Sequence, residues 1–152
     1  MKIFLLTVLT VSLIASGCQS STQTANNNGA NSANTAAKPE VLKVNDVVKA
    51  FQTARMPLNQ LDFYNAATDP DKMLGKPNQY TEKVVWQTKE TMKHAVETFA
   101  NDADVQARKK VLEADKKFSG DFIYTHKNVL LRINKEMVPE TAAKFEQILK
   151  AM

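Results

Sequence analysis

The sequence predicts an α+β fold: an antiparallel sheet of about four to five strands with helices on one face. Three observations lead there. Apolar residues recur at helical spacing in three separate segments. Runs rich in Val, Ile and aromatic residues lie between them. The last pair of such runs is joined by a short polar turn. Helices separated by hairpins favour a sheet and its helices packed as layers of one domain.

Met1-Lys2 is a short positive start, and Ile3 to Ile14 is apolar apart from Thr7, Thr10 and Ser12. As a helix this run reaches about 18 Å at ~1.5 Å per residue, short of a ~30 Å bilayer core, so it reads as a secretory signal peptide. The small residues Ala15, Ser16 and Gly17 follow, and then Cys18, the one cysteine of the 152-residue chain. Leu13-Ile14-Ala15-Ser16-Gly17-Cys18 resembles the lipobox of bacterial lipoproteins. The resemblance implies cleavage before Cys18 and lipidation of its thiol by a diacylglyceryl group, of which palmitate is a typical chain. The plain alternative is an ordinary signal cut that leaves Cys18 as a free thiol. One acyl chain at ~0.8 kcal/mol per buried CH₂ binds membranes marginally, whereas two or three on one residue hold a small domain durably. Gln19 is not the Asp that favours inner-membrane retention in enteric bacteria, so the outer membrane is favoured where the host has one.

Residues 1–18 are thus read as signal and lipidation cysteine, 19–40 as a polar tether and 41–152 as a single domain. From Gln19 to Ala37 there is no charge, no aromatic and no large aliphatic residue. Such a stretch cannot offset its ordering entropy, and as a flexible linker it spans about 25 Å. Removing Lys2 with the leader takes the formal charge from +4 to +3. That mild excess does not indicate nucleic acid. With Cys18 acylated no disulfide is possible, and the fold must rest on its core.

Within the domain, Asn45 is placed to cap a helix that carries Val47, Val48, Phe51 and Ala54 on one face, and Met56-Pro57 stops it. Leu61, Phe63 and Tyr64 suggest a strand. The polar run Asn65 to Gln79 follows, in which Asp69, Pro70 and Gly75 could frame one helical turn over Asp71 to Leu74. Tyr80 to Thr88 and His94 to Phe99 read as antiparallel partners. Asn101 caps a second helix whose expected face is Ala103, Ala107, Val111, Ala114 and Phe118, with Lys116 and Lys117 at its C-terminus. Phe122 to Tyr124 and Val129 to Ile133 form a hairpin about Lys127-Asn128. A last helix starts at Pro139 and carries Ala142, Phe145, Ile148, Leu149 and Met152.

The stretch from Asp69 to Lys83 resembles a group of small bacterial lipoproteins with an Asp-Pro-x-x-Leu-Leu-Gly-Arg-Pro-Gly-Gln-Tyr-x-x-Lys core. Phe99 with Asp102-Ala103-Asp104, Asn128 to Arg132, and Pro139-Glu140 with Ala142 agree with it in the same order. The resemblance runs from about Val41 to Leu149 and supports location and class without carrying over a catalytic residue. Lys76 stands where the group has Arg and Asn78 where it has Gly. Val138 stands where the group has a Ser or Thr cap.

No catalytic residue, metal site or cofactor is expected. His94 and His126 lack metal-binding spacing and read as surface histidines, and the carboxylates Asp62, Asp69, Asp71 and Glu82 read as solvated. The expected function is a non-enzymatic, lipid-anchored extracytoplasmic binding module of the cell envelope. Its partners are the membrane, through the lipid on Cys18, and an envelope protein or glycan. The recognition surface is placed on the 69–80 loop with Tyr64, Lys72, Lys76 and Tyr80 at its rim and Trp86 behind it. The alternatives are a structural loop with Trp86 in the core, an envelope hydrolase with a carboxylate site, or an inhibitor or exclusion factor. The last rests on architectural analogy with the beta-lactamase inhibitor protein.

Overall fold

In the computed structural model, which describes residues 40–89 and 92–152, the helical spacing of Val44, Val47, Val48 and Phe51 gives α1 (Val44–Thr53) with those four side chains buried. The expected leader, Cys18 and all but Glu40 of the expected tether lie outside the described residues. The described residues belong to one compact unit, Lys38–Met152.

Helix α1 starts two residues earlier than Asn45 would place it. The incoming chain is clamped by the buried Asn128 side chain, which accepts from the Leu42 N–H and donates to the Leu42 carbonyl, both at 2.8 Å. Asp46 then closes the first turn by accepting from the Lys43 N–H, and Glu82 reaches from the sheet to accept from Val44 N–H at 2.8 Å. Two carboxylates thus lie at the positive end of the helix.

Five strands form one antiparallel sheet: β1 (Asn59–Tyr64), β2 (Glu82–Gln87), β3 (Lys93–Thr98), β4 (Phe122–His126) and β5 (Val129–Ile133), in the order β1-β2-β3-β5-β4. The two-residue link Lys127-Asn128 closes β4 on β5, with Lys127 at φ 50°. One face carries Val84, Trp86, Val96, Val129, Leu131 and Ile133, and packs against α1 and α3 (Pro139–Lys150). There Phe51 meets Phe145 edge-on at 4.9 Å, with Trp86 5.7 Å from Phe145. The expectation of helices on one face holds for α1 and α3. Helix α2 (Asp102–Ala114) lies against the other face, where Val105 and Leu112 join Tyr80, Phe99 and Leu130 in a second core.

Asn101 caps α2 as its sequence indicates, accepting from Asp104 N–H at 2.9 Å. The buried face is different from the expected one. Ala103, Ala107, Val111 and Ala114 are exposed, while Val105, Leu112 and most of Arg108 turn inward. Two large aliphatics a heptad apart bury more apolar area than three alanines and a valine. Arg108, between them, is drawn in by Glu97. Lys116 and Lys117 do not end α2 but sit in a separate 3₁₀ turn, Lys116–Phe118, capped by Asp115.

Candidate functional site

The 69–80 loop is built around one buried carboxylate. The predicted helical turn over Asp71 to Leu74 does not form, because Asp69 Oδ2 takes the Met73 and Leu74 N–H groups at 2.8 and 3.0 Å and leaves a chain of turns. The Tyr80 hydroxyl donates to the same oxygen at 2.7 Å. Asp69 is therefore not solvated, as the sequence suggested, but 2% exposed. Burial pushes its carboxyl up, and the Tyr80 hydroxyl, the two N–H groups and Lys83 together outweigh that and hold it at about 2. The Tyr80 phenol is pushed far above its ordinary value, first by burial and then by the Asp69 bond.

Lys83, the residue three beyond Tyr80, is buried. Its Nζ reaches Asp71 at 2.6 Å, Asp69 at 3.4 Å and Glu97 at 3.6 Å. Glu97 faces Lys83 across the β2–β3 ladder and is itself gripped by Arg108, whose Nε and Nη2 donate to its two oxygens at 2.9 and 3.1 Å. This two-pronged pairing keeps the guanidinium charged, raising its pKa despite burial.

The network closes one end of a groove of about 450 Å³ that crosses the α2 face of the sheet. Val85 and Ala95, paired across β2 and β3, lie in its middle, with Tyr64 and Phe118 among its lining residues. At the other end Arg132 Nη1 donates to Asp121 at 2.7 Å and to the Lys93 carbonyl at 3.3 Å, and its guanidinium lies 4.7 Å from the Phe118 ring. Lys93, Lys117 and Lys135 complete that end. Six basic side chains and three carboxylates line the groove, so its field favours an anion.

Of the residues expected to recognise a partner, only Tyr64 lines this groove, half-buried, with Lys83 Nζ 5.8 Å from its ring. Lys72 and Lys76 are exposed on the loop and outside the groove. Tyr80 and Trp86 are both 0% exposed and belong to opposite cores, so neither forms a rim or backs the loop. Cys18 lies outside the described residues. His94, read as a surface residue, is also buried. Its Nδ1 accepts from Asn134 N–H at 3.1 Å, so the proton sits on Nε2 and donates to Thr88 Oγ1 at 3.0 Å. Burial first and the Arg132 charge second lower its pKa to about 4.

The groove residues that sequence reasoning missed are Lys83, Glu97, Arg108, Arg132 and Asp121. A signal for three of them was present. Lys83, Glu97 and Arg132 are charged residues within segments whose sequence reads as strand, and the antiparallel register puts Lys83 opposite Glu97. Comparisons with family models, curated proteins and solved structures find no match for the chain.

Proposed function

We propose that this protein is a lipid-anchored extracytoplasmic lipoprotein, held by the lipid on Cys18, whose domain is a non-enzymatic binding module that takes an envelope partner in the groove. The observation that carries this reading is how the groove's charges are spent. Asp71 and Glu97 are tied to Lys83 and Arg108, and Asp121 to Arg132, whereas Lys93 and Lys117 have no carboxylate partner among the described residues. Acid–base chemistry needs a carboxyl raised toward neutral pH. The buried Asp69 carboxyl beside the groove's network is moved the other way, down to about 2. A preformed concavity of this size with a few fixed polar groups suits recognition. The lipobox and the resemblance to the lipoprotein group support the location.

The test is crosslinking on intact cells with the anchored chain, comparing Lys93→Glu/Lys117→Glu in the groove with Lys72→Glu/Lys76→Glu on the loop. The groove pair should lose the crosslinked partner at unchanged thermal stability, and the loop pair should keep it. The opposite result would reject the groove as the binding surface.

A further inference from the structure

The groove contains two arginines whose forks are used differently. Arg108 spends its Nε–Nη2 edge on the two oxygens of Glu97. Arg132 makes both of its hydrogen bonds through Nη1, to Asp121 and to the Lys93 carbonyl, and its Nε–Nη2 edge bonds to none of the described residues. The Arg132 side chain is nonetheless only 13% exposed. Asp121, the Lys93 carbonyl and the Phe118 ring hold it from three sides, so its orientation is set before any ligand arrives.

We propose that Arg132 anchors an oxyanion subsite at the basic end of the groove, accepting the carboxylate or phosphate of a ligand whose apolar part lies over Val85 and Ala95. This rests on the reading of the groove as a binding site and adds the class of ligand. The Nε–Nη2 edge presents two parallel donors at the spacing of two oxygens on one carbon or phosphorus, which is the pairing Arg108 already makes with Glu97. Charge agrees with this. Asp121 is the carboxylate at this end, and both its oxygens are engaged, Oδ2 by Arg132 and Oδ1 by the Lys135 N–H. Lys93, Lys117 and Lys135 therefore leave the end net positive. The register sets Ala95 beside Arg132 and opposite Val85, and all three line the groove, so two apolar side chains lie next to the guanidinium. The closed network at Lys83 and Glu97 bounds the far side.

The experiment is an NMR titration of the full chain with hydrocinnamate, phenyl phosphate and the uncharged hydrocinnamamide. The two anions should shift the amides of Lys93, Ala95 and Asn134 and bind about tenfold or more tightly than the amide, the expected scale for a charge-assisted pair. Arg132→Lys, which keeps the charge but not the fork, should weaken both anions about tenfold and leave the amide unchanged. Should that variant fail to fold, Lys93→Glu/Lys117→Glu, which spares the Arg132–Asp121 pair, should weaken both anions to a similar degree. The tighter of the two anions identifies the head group as carboxylate or phosphate. Equal binding of anion and amide at these residues would overturn the oxyanion assignment while leaving a binding groove. Anion shifts confined to residues outside the groove would overturn the assignment as well, and the cell crosslinking decides the binding reading independently.

Discussion

The Tyr80 hydroxyl donates to Asp69 at 2.7 Å between two fully buried side chains eleven residues apart, and this bond joins the loop to the second core of the sheet. Asp69→Ala removes the acceptor for two backbone N–H groups and for Tyr80, and one of the carboxylates facing Lys83. The expected loss is about 3–5 kcal/mol, the scale for breaking a buried charged network. Tyr80→Phe removes one donor and should cost about 1–2 kcal/mol. Urea unfolding of both variants and of the double variant should give a coupling of at least ~0.5 kcal/mol, and strict additivity would contradict the described bond.

Stability should fall in two separate acid windows. His94 has a folded pKa of about 4 against an ordinary value of 6.5, so its contribution is complete above about 6.5 and is lost as pH falls toward 4. Asp69, at about 2 against 3.8, contributes fully above about 4 and loses its share between 4 and 2. At ~1.4 kcal/mol per pKa unit the two steps are of order 2–4 kcal/mol. Urea midpoints measured from pH 7 to 2 should show both, and His94→Gln should flatten only the upper one.

The loop surface and the loop core should separate cleanly. Lys72→Ala and Lys76→Ala are expected to change stability by less than about 0.5 kcal/mol, since both side chains are exposed. Tyr80→Ala, from a 0% exposed site, should cost about 3–5 kcal/mol. Thermal melts of the three variants decide it, and equal effects would mean that Tyr80 is not core.

Asn78 sits at φ 59°, in the left-handed region. Asn tolerates this conformation and Gly adopts it without strain, so Asn78→Gly should be within about 1 kcal/mol of the parent. A branched residue should suffer there, with Asn78→Val destabilising by about 1–2 kcal/mol. A neutral Asn78→Val in chemical denaturation would show that the turn relaxes.

Fractionation tests the proposed anchor. Cys18→Ser should leave the protein in the soluble fraction, because a polar tether and a +3 charge provide no attachment of comparable strength. Brief proteolysis of the released protein should yield a stable fragment beginning near Lys38, where the compact unit starts. Full membrane retention of Cys18→Ser after a high-salt wash would remove the lipid anchor from the proposal.

What the sequence determined by itself was whatever depends on neighbours a few residues apart. The antiparallel pairing of β2 with β3, the Lys127-Asn128 hairpin, the Asn101 cap, the inward face of α3 and that of α1 at Val47, Val48 and Phe51, though not at the exposed Ala54, follow from local spacing and turn chemistry, and the α+β class follows from their order. Tertiary structure decided the rest, because burial and charge pairing are set between residues distant in the chain. By alternation Tyr80 and Trp86 have the same parity and would share a face, yet they lie in opposite cores, because the regular pleat begins only at Glu82, after a turn in which Tyr80 O accepts from Gly75 N–H. Helix α2 could have turned its alanines inward, and Glu97, carried in by the sheet, brought Arg108 there instead. The Arg132–Asp121 pair combines the two: the hairpin that returns β5 beside β4 brings Arg132 back to Asp121 at the head of that strand, and the tertiary fold leaves the pair only 13% and 5% exposed.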